Sequence, residues 1–326
     1  MSSGGGLQPI ITDTAPVKPK VRYFSGGANI FKKFHKEWPL HLMLLPALIV
    51  TAIFSYGPMY GLIIAFQKFS PVHGFSSPWI GFENFRFLFE QHGFLRTIPN
   101  TLYISLFKIF IGLICSVIFA LLLNELRVVL FKRVLQTIVY IPNFISWIIM
   151  AGILSTILSS DGVVNSLLLF LGFERVPFLT FPDIFPWTMI WTDVLKTFGF
   201  GTVVYLAVIT SIDPTLYESA VIDGAGKFRQ IVSITIPLMG PIIVLMLTLA
   251  LGNILNAGFD QIYNLYSSVV YSTGDIIDTY LFRLGFGGSF RYYEASAVGL
   301  MRSVVSTILM SISLVIAYKV ADYKIF

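Results

Sequence analysis

Long apolar runs alternate with short polar segments along the chain, and six of them stand out. They are Pro39–Phe66, Ile98–Asn124, Val134–Leu158, Ile184–Thr210, Ile234–Asn256 and Ala295–Tyr318. Each reaches the roughly 20 residues that a helix needs to cross a hydrocarbon layer about 30 Å thick. A helix satisfies its backbone groups internally, which an open strand in lipid does not. An outer-membrane barrel would show short segments of strict alternation between turns, and none are present. The pattern predicts an all-α polytopic membrane protein with six transmembrane helices in one domain, 39–326. A cytoplasmic tail, 1–38, precedes it. That tail is polar and basic without a long apolar stretch, so no cleavable signal is expected and the first apolar run is retained. Met1–Gly6 reads as disordered. Val163–Leu171 is apolar but too short to cross, and is expected at the interface or packed on the bundle.

Composition agrees. Hydrophobic residues make up 56% of the chain and charged residues 12%, with mean hydropathy +0.79. A soluble domain of this length needs more polar surface. The formal charge of +5 is explained by where the cations fall, so it does not imply nucleic acid. With the N-terminus inside, the cytoplasmic set is Lys18, Lys20, Arg22, Lys32, Lys33, Lys36, Arg127, Lys132, Arg133, Lys227, Arg229, Lys319 and Lys324. The outer set, Lys68, Arg86, Arg96, Arg175, Arg283, Arg291 and Arg302, is about half as large, with Lys108 and Lys196 inside spans. The bias places both termini in the cytoplasm. Trp79–Phe89 and the stretch from Gly258 to Glu294 are rich in aromatics, which suits interfacial anchoring or a docking surface. The single cysteine, Cys115, allows no disulfide or cysteine metal site within one chain.

The loop between the fourth and fifth runs, 211–237, falls on the cytoplasmic side. Asp213 before Pro214 starts a helix, since Asp caps free N–H groups and Pro suits the first helical position. Leu216, Ala220 and Val221 fall on one face, with Tyr217 and Asp223 elsewhere. Gly224 and Gly226 end this helix, and Lys227 opens a second that runs into span five. A phosphate-cradling loop needs G-x-x-x-x-G-K-[ST]. At Gly226-Lys227 the first glycine position is Val221 and Phe228 follows the lysine, so no nucleotide site is expected.

The same loop carries Glu218-Ser219-Ala220, Gly224 six residues after Glu218, and Ile234 and Ile236-Pro237. This resembles the pattern of ABC importer permeases, E-A-A, three residues, G, nine residues, I-x-L-P, with Ser219 for Ala and Ile236 for Leu. Tyr56–Phe66, Trp79–Phe89, Ile98–Leu106, Gly258–Tyr266 and Ile276–Arg283 resemble the carbohydrate-uptake branch, particularly permeases for complex oligosaccharides or polysaccharide fragments. The resemblance implies a type I importer fold in the bacterial cytoplasmic membrane. It implies a second permease subunit, commonly a different chain, and two ATP-binding cassette subunits that hold the ATP and Mg. It also implies an extracytoplasmic solute-binding protein. Tyr217, Glu218, Ser219, Ala220, Asp223, Gly224 and Ala225 would then form the ATPase-coupling element, and ATP-driven closure would switch the spans between inward and outward access. This chain would hold no cofactor, no metal and no catalytic residue.

Sugars present apolar C–H faces and many hydroxyls, so aromatic rings and amides within spans are candidate contacts. In span four these are Lys196, Phe198, Phe200 and Tyr205, beside Asp193. In span five, Asn253 and Asn256 lie three apart on one predicted face, and their position resembles that of sugar-contacting asparagines in a maltose-type permease. Structural readings stand beside these: asparagines joining helices, Lys196 pairing with Asp193, and Lys108 snorkelling or pairing. Asn143, beside Pro142, marks a kink whose freed backbone groups need partners. An intramembrane enzyme would need paired acids, a nucleophile–base pair or spaced histidines, and His35, His41, His73 and His92 are not at ligand spacing. A secondary transporter or channel would show inverted repeats around an ion site, and no convincing repeat is visible.

Overall fold

The structure, a computed structural model, describes residues 37–288 and 290–321. The expected tail, 1–38, lies almost wholly outside them, as does Lys324. The described residues divide into two compact units, with the boundary between Tyr60 and Gly61. In the first, helix α1 spans Trp38–Thr51, with Pro39 in its first turn, and widens into a π turn over Ala52–Tyr56. A 3-10 segment, Gly57–Phe66, completes a stretch long and apolar enough to cross a membrane.

In the second unit, a short helix α2, Glu83–Glu90, leads into α3, His92–Glu125. Next come α4, Val129–Phe144, and α5, Trp147–Ile157. The third run, expected as one span over Val134–Leu158, is in fact these two helices bent by 106°. Pro142 cannot donate in the last turn of α4, and Ser146 restarts the helix by accepting from the Ile149 N–H at 3.4 Å. The short apolar run is α6, Val163–Phe170, and the fourth span is α7, Phe185–Ser211.

The loop 211–237 holds the separate α8, Pro214–Ile222, and span five is built from α9, Lys227–Gln230, a π turn Ile231–Thr235, and α10, Ile236–Gly252. It stops at Gly252, short of the expected Asn256, so Asn253 and Asn256 do not share a helical face. Three short helices follow: α11, Phe259–Leu265; α12, Tyr271–Gly274; and α13, Ile277–Phe286. The last span is α14, Tyr292–Ala321. Among the described residues five helical stretches are long and apolar enough to cross, and counting the bent pair as one span gives six. Among the described residues there is no strand beyond an isolated bridge between Gln67 and Trp79.

Helices in lipid gain little from apolar burial alone, so close approach and hydrogen bonds between them carry much of the association. α7 turns a stripe of small and polar residues inward, including Thr188, Thr192, Lys196, Gly199 and Thr202. Ser116 of α3 donates to the Phe198 carbonyl at 3.0 Å, and Thr202 donates to the Ser116 carbonyl at 3.3 Å. Gly199 lies so near α4 that a Cβ there would stand 2.4 Å from the Val139 carbonyl oxygen. The stretch after span five turns its aliphatic residues into the protein and leaves Tyr263, Phe286 and Phe290 exposed. Ile262, Leu265, Val270, Ile276, Ile277 and Leu284 are buried, and Tyr280 packs on Phe94 with ring centroids 5.8 Å apart.

Candidate functional site

The loop 211–237 folds as its sequence dictates. Asp213 caps α8, its Oδ1 accepting from the Thr215 N–H at 2.9 Å, and this bond holds the carboxyl below the ordinary aspartate range. The helix ends in a paired C-terminal motif. Gly224 N–H donates to the Val221 carbonyl at 3.0 Å and Ala225 N–H to the Ala220 carbonyl at 2.8 Å, with Gly224 at φ +78°. That left-handed conformation is cheap for glycine and strained for other residues. Gln230 donates to the Ala225 carbonyl at 2.9 Å, and Tyr217 Oη meets Thr235 Oγ1 at 2.9 Å. α8 is thereby tied to the π turn that opens span five.

Two of the three residues expected on the apolar face, Leu216 and Val221, are turned outward. Tyr217 and Ala220 are the half-buried side chains of α8, whereas Leu216, Val221 and Ile222 are exposed, Ile222 at 86%. Phe228 beyond the turn is also exposed. A cleft of about 280 Å³ beside them is lined by Ala220, Asp223, Gly224, Ala225, Arg229 and Gln230, among others. Covering exposed apolar side chains of this kind releases free energy.

A second polar cluster sits deep among the spans. Lys108 of α3 is buried; its Nζ donates to the Ala257 carbonyl at 2.8 Å and to Gln261 Oε1, and stands 3.5 Å from Asp193 Oδ1 of α7. Gln261 donates in turn to the Met189 carbonyl and to Thr192 Oγ1, both at 2.8 Å. Asp193 thus pairs with Lys108 and not with Lys196, which corrects the i, i+3 expectation. Lys196 instead reaches α4, donating to the Asn143 carbonyl at 2.9 Å, and lies over the Trp147 ring at 5.3 Å. The carbonyl freed by the break is satisfied there.

Two cavities adjoin this cluster and share Asn256 and Gly258. One of about 300 Å³ includes Ser105, Lys108 and Asp193 in its lining. The other, about 580 Å³, is walled by Trp147, Phe259, Phe282, Asp260, Asp278 and Arg302 with Leu281. Asp278 and Arg302 pair at 2.9 Å, and burial pushes the Asp278 carboxyl up while the guanidinium opposes that shift.

Residues 108–325 match the family model described as the binding-protein-dependent transport system inner membrane component. The chain belongs to that family. The permease is 37% identical to Protein LplB of Bacillus subtilis over 91% of its own length and 95% of that protein. It is also 37% identical to the polygalacturonan/rhamnogalacturonan transport system permease protein YteP of Bacillus subtilis, over 88% of this chain and 90% of that protein. A crystal structure of a bacterial ABC transporter involved in the import of the acidic polysaccharide alginate contains a chain 40% identical to it. That chain superposes with a TM-score of 0.82, covering 90% of the permease and 99% of that chain. The same transporter in complex with alginate pentasaccharide-bound periplasmic protein gives 39% identity and a TM-score of 0.83, over 91% of the permease and 100% of that chain.

The candidate pathway residues of the permease do not form one group. Asn256 lines both cavities, while Asn253 is exposed and donates to the Leu249 carbonyl at 3.3 Å. Lys196 and Asn143 meet across the break. Phe198 packs edge-on to Phe119, and the exposed Phe200 meets Phe144. Tyr205 is buried among Ala120, Ile209 and Met239. Trp147, Gln261, Phe282 and Asp278 were not singled out in the sequence. Gln261 had a signal, an amide beside Asp260 in the aromatic-rich Gly258–Tyr266 stretch; Trp147 had none beyond following Ser146.

Proposed function

We propose that this chain is one permease subunit of an ATP-driven importer that carries an oligosaccharide or polysaccharide fragment across the cytoplasmic membrane. The observation that carries the reading is the loop 211–237: a helix capped by Asp213, ended at a left-handed Gly224, uncovered on its apolar side and bonded through Tyr217 to the start of span five. Glu218, Ser219, Ala220, Asp223 and Ala225 belong to its docking surface. A pair of ATP-binding cassette subunits holding ATP and Mg would cover that surface, and their closure would move α8 as a rigid body. A chain without its own phosphate loop needs such a handle, because two sites couple only through an element that both bias. Both termini and the 1–38 tail lie inside, as the Lys/Arg bias requires. A second permease, a different chain, completes the pore, and a solute-binding protein delivers the sugar from outside. The saccharide reading is supported by the polysaccharide transport named for the relatives and by a cavity that combines Trp147, Phe259 and Phe282 with amide and carboxylate groups.

Detergent extraction of the tagged chain tests this reading. The expected result is recovery of a second permease and an ATPase, whose hydrolysis in proteoliposomes rises with saccharide-loaded binding protein. Uptake that persists in vesicles stripped of every ATPase would overturn it.

A further inference from the structure

Two cations from different spans converge on one short turn. Beyond Gly252, residues Leu255–Gly258 run as irregular backbone between α10 and α11. Lys108 from α3 donates to the Ala257 carbonyl at 2.8 Å, and Arg302 from α14 donates to the Leu255 carbonyl at 3.4 Å. Each cation is balanced by an acid on a further helix, Asp193 on α7 and Asp278 on α13. Gly258, at φ +91°, allows the approach; a Cβ there would stand 3.0 Å from Lys108 Nζ. Unhelical backbone at this depth is tolerated only where protein groups satisfy it, and charges inside a membrane protein are costly unless paired. The turn displays Asn256 to both cavities.

We propose that Lys108 and Arg302 are positioning residues for translocation, clamping the Leu255–Gly258 turn so that Asn256 faces the two cavities. They touch backbone and acid partners, and act on the transported molecule only through the turn. In its functional consequence this rests on the importer reading; the geometry itself does not. Span five runs from the coupling loop to this turn, so the clamp fixes the far end of the element that the inner handle moves.

The test is independent of sugar and ATP. Because Cys115 is the sole cysteine, a Cys115→Ser background accepts Asn256→Cys as a single reporter, labelled with a small maleimide in membranes holding the full transporter. Lys108→Met is expected to change the labelling rate about tenfold, the size of a coupling change of a little over 1 kcal/mol. Arg302→Met should move it in the same direction. Lys108→Arg, which keeps a donor for the Ala257 carbonyl, should restore it, whereas the exchange Lys108→Asp with Asp193→Lys, which rebuilds the ion pair but turns a carboxylate toward that carbonyl, should not. A Ser160→Cys reporter, exposed in the turn between α5 and α6, should keep its rate throughout. An unchanged Asn256→Cys rate in both Met variants, full rescue by the exchange, or an equal change at Ser160→Cys would overturn the clamp. Failure of ATP-dependent uptake with the clamp intact would overturn the importer reading instead.

Discussion

At the scale of single residues, the loop 211–237 depends on a few side chains whose chemistry leaves little latitude. Asp213 accepts the Thr215 N–H most strongly as a carboxylate, and its folded carboxyl sits below the ordinary aspartate value. The stabilisation is therefore complete above the ordinary range near pH 4 and is lost as pH falls through the lower folded value. Protection of the amides across Thr215–Ile222, measured against the intrinsic exchange rate at each pH, should fall on acidification in the native chain. In Asp213→Asn that acid-dependent loss should vanish, and in Asp213→Ala protection should be low at every pH. Gly224 is a different case: nothing stands within 4 Å of a Cβ placed there. Gly224→Ala should cost about 1 kcal/mol of local stability through backbone strain, read as faster exchange at Asp223–Ala225. A bulky replacement should uncouple ATP hydrolysis from uptake with insertion intact. The loop was legible from the sequence because caps and stops are local signals. The direction of the α8 face was not, since apolar periodicity marks a face without saying whether protein or a partner covers it.

Among the helices, approach distance sets tolerance. Gly199 meets the Val139 main chain, which cannot step aside, whereas a Cβ at Gly152 of α5 meets nothing within 4 Å. Gly199→Ala should therefore destabilise the bundle by about 1–3 kcal/mol through overpacking, and Gly152→Ala should be neutral. Thermal unfolding of the purified complex, followed by exposure of Cys115, separates the two. A milder loss is expected for Tyr217→Phe, which removes the bond to Thr235: hydrolysis should be kept and uptake per ATP should fall. Helix existence was readable from long apolar runs, because the bilayer fixes their length. The stop at Gly252 was not, because Ile254 and Leu255 continue the apolar composition while the chain leaves the helix to meet Lys108 and Arg302. The Asp193 partner was likewise hidden. A neighbour at i+3 is visible in one dimension, and a lysine on another helix is not.

For the molecule as a whole, family and span number were legible, and the depth of the polar clusters was not. Lys108 and Lys196 were noticed as anomalies, but their partners come from helices far along the chain, and only tertiary packing brings them together. Lys196→Met should reduce the inserted, protease-resistant fraction, at a cost of about 1–2 kcal/mol for the lost interhelical bond, and Lys196→Arg should largely restore it. The bent third span gives this bond an implication for biosynthesis. α4 with 16 residues and α5 with 11 reach about 24 and 17 Å, so neither arm alone bridges a layer about 30 Å thick. The ammonium that settles the elbow arrives 53 positions later in translation. The nascent third crossing must therefore wait in a provisional shape, and the fourth, on entering the bilayer, finishes its predecessor.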